Sequence, residues 1–144
     1  MSAAIEGFIS GFPHFLIMTG TAGLILILAS TLYVFLTPWK ELALLKGGNG
    51  SAGLALAGAI TGLAIPLAAC LASSVTPIDL IIWGLVALLL QLIAYRVVDI
   101  LLVGLPARIE NDEAGAAIVL IAAKLSVAMI LAAGLWDPNL GRYT

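Results

Sequence analysis

Charge is scarce in this chain. Only 10% of its 144 residues are Asp, Glu, Lys or Arg, whereas a soluble globular domain carries roughly 25%. So few ionic groups cannot cover a water-facing surface, and the bilayer must act as solvent for much of the molecule. The formal net charge of −2 leaves no basic patch, which argues against nucleic acid as a partner. Histidine and cysteine occur once each, as His14 and Cys70. One histidine lacks the partners of a metal site. One cysteine closes no intrachain disulfide and says nothing of redox compartment. Lys and Arg are missing before Lys40. A cleaved secretory signal needs a basic stretch ahead of its apolar core, so the first apolar run is expected to stay as a membrane helix. Catalytic constellations are lacking too. There is no Ser/His/Asp set and no metal-ligand cluster, and in "KGGNGS" the lysine precedes the glycines, unlike a phosphate loop. The chain is therefore expected to be no enzyme and to need no cofactor or metal.

Apolar length is what the chain has in abundance. Hydrophobic residues make up 62% of it, and the mean hydropathy is +1.19. About 20 apolar residues in a helix cross the hydrocarbon. Four segments qualify: about Phe15 to Leu36, Ala52 to Ser74, Ile78 to Val103 and Ala114 to Trp136. The first two carry no charge; the third carries Asp79, Arg96 and Asp99, and the fourth Lys124. The expected fold is an all-α integral membrane protein, one domain over residues 1–144, with four transmembrane helices joined by short links. The first link contains the Gly-rich turn "KGGNGS". The second holds Pro77, suited to a helix start. The third is the polar "GLPARIENDE". Before the first span, Ile5, Phe8, Ile9 and Phe12 share one helical face and Ser2, Glu6 and Ser10 another. With Pro13 following, this predicts a short N-terminal helix lying in the interface, with His14 as an interfacial polar residue. Lys40 and Lys46 in the first link, and Arg108 in the third beside Arg96, predict that both links are cytoplasmic. Both termini are then expected outside, although the tail holds Arg142. Trp39, Trp83 and Trp136 fall near span ends, as interfacial aromatics do.

The chain also resembles itself. At a shift of 62 residues Tyr33 falls on Tyr95, Lys46 on Arg108, and "NGSAGLA" from Asn49 on "NDEAGAA" from Asn111. This points to a duplicated two-helix hairpin, about 15–74 and 78–136, repeated in parallel orientation. Asn49 and Asn111 each precede a span and are read as caps for its first free N–H groups. Glu113 favours the positive end of the fourth span. The Ala-Gly pairs beside them, with Gly53 and Gly115, allow close backbone approach. A paired binding edge formed by the two loops is the functional alternative.

"WKELALLKGGNGSAG", "AIPLA", "IDLIIWGLVALLLQL" and "RIENDEAGAAI" stand in an order and spacing that resemble the YjfL-like family of bacterial inner-membrane proteins, from about residue 15 to 135. The resemblance implies a tandem two-helix repeat with four spans in the plasma membrane. It also implies company with envelope-related gene sets that include ATP-grasp ligases and phage-shock-type proteins. It brings no established activity. Asn49 and Asn111 match the family's loop asparagines, and Gln91 a polar residue of the third span. Asp112-Glu113 and Lys124 depart from the pattern, which has small or neutral residues there.

Ionisable groups inside a span are functional candidates with a partner to be named. Gln91, Tyr95 and Asp99 are spaced i, i+4, i+8 and share a slowly drifting face. Arg96 can pair with Asp99, and Lys124 lies about 15 Å into its span at 1.5 Å per residue. An unpaired lysine there costs about 2.5–3.5 kcal/mol. Two readings stand. In one, Lys124 pairs with Asp99 or bonds a carbonyl, and Arg96 snorkels to headgroups. In the other, Gln91, Tyr95, Asp99 and Lys124 line a path for protons or small ions. Gly58 and Gly62 form G-x-x-x-G, Gly53 and Ala57 a further small pair, and Pro66 is expected to kink the second span. The sequence thus points to a homo-oligomeric structural or accessory subunit of the bacterial inner membrane, with lipid and envelope proteins as its surroundings. The alternative is an ion or small-solute channel component.

Overall fold

In the computed structural model, residues 2–73 and 76–136 are described, and among them there are helices and no strand. In chain order these are α1 (Ala3–Leu36), α2 (Glu41–Lys46), α3 (Gly50–Ser73), α4 (Pro77–Leu101), α5 (Leu105–Glu110) and α6 (Ala114–Leu135). Four of them, α1, α3, α4 and α6, are long and apolar enough to cross a membrane. The fold is that of an all-α membrane protein. Each half runs long helix, six-residue helix, long helix. The expected span end at Ser74 and the tail charge Arg142 lie outside the described residues.

Local chemistry sets the boundaries. Thr76 opens α4: its hydroxyl oxygen accepts from the Asp79 N–H at 3.4 Å and donates to Asp79 Oδ2 at 2.8 Å. Pro77 follows in the first turn, where its missing N–H costs nothing. Gly48 and Gly104 turn the chain beside α2 and α5 with φ of +87° and +79°, which a side chain would strain.

The N-terminus departs from expectation. A separate interfacial helix ending at Pro13 is not found; α1 is one helix of 34 residues that runs through Pro13. The proline removes only the N–H that would bond the Ile9 carbonyl. The rings of Phe8 and Phe12 stack at 4.9 Å, and those of Phe12 and Phe15 at 6.3 Å, along the continuous helix. At 1.5 Å per residue α1 is about 51 Å long, well beyond the roughly 30 Å of hydrocarbon. Met18 is its first buried residue.

α3 and α6 form the closest-packed pair of helices. Glycine permits close approach at two places, Gly58 of α3 against α6 and Gly62 of α3 against α4. A Cβ on Gly58 would lie 2.6 Å from Ile121 Cγ1, and one on Gly62 would lie 2.8 Å from the Gln91 amide. Gly53 sits against Leu45 Cδ1, 3.1 Å from where its Cβ would be, whereas Gly115 faces open space. The core divides along the bundle. Trp39, Tyr95, Leu105, Ile109 and Leu120 pack at the loop end, which carries α2 and α5; Tyr33, Leu63 and Leu88 fill the middle; Met18, Cys70, Leu80 and Leu135 close the far end.

The two loops clasp each other. Asn49 Oδ1 accepts from the Ala52 N–H at 2.7 Å, capping α3, and Asn49 Nδ2 donates to the Ile109 and Glu110 carbonyls at 2.9 and 3.1 Å. From the other side, Asp112 Oδ1 accepts from the Ser51 N–H at 2.7 Å. Asn111 does not cap α6. It ends α5, and Glu113 holds the N-cap position of α6 with its side chain on Arg108 Nε at 2.5 Å.

Candidate functional site

Lys124 sits in the middle of α6 and is fully buried. An ammonium group without water needs hydrogen-bond acceptors and a counter-charge. Both come from the first half of the chain. Lys124 Nζ donates to the Tyr33 hydroxyl oxygen of α1 and stands 4.1 Å from the centre of the Tyr33 ring. Glu41, at the start of α2 and also fully buried, is the acid whose field reaches Lys124, without an ion-pair contact between the two. Its Oε1 accepts from Trp39 Nε1 at 2.9 Å. Trp39 is therefore not an interfacial aromatic. Its ring is buried and meets Tyr95 edge-on at 5.2 Å, while Trp136 is exposed at the far end. Burial pushes the Glu41 carboxyl above the usual carboxylate range, and the Lys124 charge and the Trp39 N–H pull it back.

Gln91 braces the same region. Its Nε2 donates to the Gly62 carbonyl at 3.0 Å and the Lys124 carbonyl at 3.1 Å. The first of these contacts follows from Pro66. A proline in a helix has no N–H for the carbonyl four residues earlier, and that carbonyl belongs to Gly62. Gln91 supplies the missing donor, so α3 continues through a buried proline without an orphaned carbonyl.

The residues singled out from the sequence separate into two groups. Gln91, Tyr95 and Lys124 are buried together. Arg96 and Asp99 turn outward and pair with each other at 3.9 Å, with side-chain exposures of 73% and 24%. Asp99 is thus not the partner of Lys124. Arg96 also lies 5.6 Å from the Tyr95 ring centre. Sequence reasoning missed Glu41 as the partner, although one signal was present: it is the only acid in the first link, two residues after a tryptophan. Three buried side-chain oxygens in the cluster lack a partner: Glu41 Oε2, Tyr95 Oη and Gln91 Oε1. No group of three metal-ligating side chains occurs among the described residues. Chemically, the cluster brings one buried carboxyl and one buried amine together with a phenol and an amide.

Comparison with known proteins places the chain. The family model described as Domain of Unknown Function (DUF350) matches residues 7–135. The chain is 32% identical over 95 residues to the UPF0719 inner membrane protein YjfL of Escherichia coli strain K12, covering 66% of this chain and 72% of that one. The protein of the same name from Escherichia coli O157:H7 gives the same values. No solved structure matches. With its four apolar helices, this chain belongs to the DUF350 family and is a small multi-pass protein of the inner membrane.

Proposed function

We propose that the protein is a non-catalytic structural or accessory subunit of the inner membrane that self-associates and serves envelope maintenance. The carrying observation is that its deep polar side chains are turned inward and held by hydrogen bonds: Lys124 on Tyr33 and Gln91 on the Gly62 carbonyl across helices, and Glu41 on neighbouring Trp39. A scaffold needs such groups paired off, whereas a permeation path needs them converging on an open axis. The outer faces are apolar, as a surface covered by lipid or by a second copy of the chain requires. Leu24, Ile27 and Leu28 of α1, Leu85, Leu89 and Ile93 of α4, and Ile118 and Ile130 of α6 are exposed apolar residues. The envelope role draws on the company that the family resemblance implies. Lys40, Lys46 and Arg108 at the loop end support placing that end in the cytoplasm and both termini in the periplasm.

The second reading, a component of an ion or small-solute path, draws on the unpartnered oxygens of Gln91 and Tyr95. One experiment separates the two. The purified full chain is reconstituted in vesicles for proton and alkali-cation flux, and its mass in mild detergent is followed across a concentration series. A stable oligomer without flux is expected. A flux abolished by Lys124→Met would replace the structural reading with the path, and a monomer at every concentration would remove self-association.

A further inference from the structure

We propose that Glu41 and Lys124 form a proton-binding site that fills from the loop end and passes nothing to the far side. The site uses the cluster already described but goes beyond a structural role, because its ligand is the proton.

Three features of the geometry support it. First, the two buried charges are not in direct contact. Glu41 Oε1 is held by Trp39, Glu41 Oε2 meets no donor, and Lys124 Nζ is on Tyr33. Two buried ions with their direct pairing unmade are a costly arrangement. Moving one proton from the ammonium to the carboxylate leaves a neutral amine and a neutral carboxylic acid. Taking one further proton from hydronium leaves a carboxylic acid, an ammonium and a released water. Each step balances with no outside reagent but water.

Second, the unpartnered oxygens mark a route. Glu41 Oε2 lies on α2 at the loop end, next to exposed Lys40. Trp39 links Glu41 to Tyr95, whose Oη is unpartnered. Gln91 Oε1 is one helical turn deeper and also unpartnered, and Gln91 Nε2 reaches the Lys124 carbonyl. Buried oxygens without a donor are free acceptors, which a proton can use.

Third, the route stops. Among the described residues the buried non-aromatic polar and charged side chains are Thr37, Glu41, Ser51, Gln91 and Lys124, and none of them belongs to the far end around Met18, Leu80 and Leu135. The polar groups around the pair come from several elements. α1 brings Tyr33, the first link Trp39, α2 Glu41, α4 Gln91 and Tyr95, and α6 Lys124. α3 offers small residues and the Gly62 carbonyl, and α5 offers Leu105 and Ile109. Arg96 and Asp99 face outward.

The test is infrared spectroscopy of the full chain in lipid nanodiscs, with glutamate carboxyls isotopically labelled, across a pH series. One glutamate carboxylic-acid band is expected to persist above about pH 6, where ordinary glutamates are ionised. It should shift with the label, vanish in Glu41→Gln, and cease to titrate in Lys124→Met. The labelled wild-type protein decides between presence and absence of the site even if a variant does not fold. Absence of any such band would overturn the proton site while leaving the structural reading intact. Proton flux through vesicles bearing the same preparation would overturn the closed far side and the structural reading together.

Discussion

At a shift of 62 residues, the two halves of the chain use matching positions in different ways. Tyr33 and Tyr95 are both buried, but Tyr33 accepts from Lys124 while the Tyr95 hydroxyl has no partner. Trp39 and Glu41 are buried; their counterparts Leu101 and Val103 are 73% and 83% exposed. Gly62 is a seat for Gln91, and its counterpart Lys124 is a buried charge. Asn49 caps and clasps, while Asn111 ends α5. The first half supplies the anion and the second the cation. Each group is costly in the interior without the other, so the cluster binds the halves into one bundle.

Breaking that division of labour should have the largest effect. Glu41→Ala leaves Lys124 without its counter-charge, and a loss of about 3–5 kcal/mol is expected in a denaturation series in detergent. The matching change in the other half, Val103→Ala, should cost almost nothing. Next comes Gln91→Leu, which frees the Gly62 carbonyl and should cost about 1–3 kcal/mol. Adding Pro66→Ala restores the N–H that Gly62 lacks, so the double variant should recover part of the loss; no recovery would mean that Gln91 acts otherwise. Gly58→Val drives a side chain into Ile121 and should cost about 1–3 kcal/mol, against no loss for Gly115→Ala, and thermal melts distinguish them.

The loop asparagines sharpen the comparison further. Asn49→Ala should lose about 1 kcal/mol, and Asn111→Ala much less. The smallest effect concerns acid. The Ser51 N–H holds the Asp112 carboxyl below its ordinary value. Its stabilisation is therefore present above the ordinary carboxylate range near pH 4 and lost as pH falls through the lower folded value. Asp112→Asn, which tolerates the positive φ of 58° at this position, should lower the melting temperature slightly at neutral pH and come close to the wild type at strongly acidic pH.

The spans were legible because apolar length and the scarcity of charge are local properties of the sequence. Lys124 was legible as an outlier for the same reason. Its partner was not. Glu41 sits in a link that hydropathy reads as polar and water-facing, and only the short helix α2 turns it back into the bundle. Asp99 was the nearer candidate along the chain, but Arg96 three residues before it satisfies it on the outer face. Trp39 was placed at the interface by its position, while its N–H is spent on Glu41 inside. The pairing of Gln91 with Pro66 was hidden because each residue makes sense only with the other helix in place.

A double-variant cycle on Glu41→Gln and Lys124→Met, read as unfolding free energy, addresses the central claim that these two charges answer each other. Each single change should be strongly destabilising, and the double variant should be more stable than the sum of the two losses requires. Strictly additive losses would contradict that claim, because they would mean that Glu41 and Lys124 are buried independently.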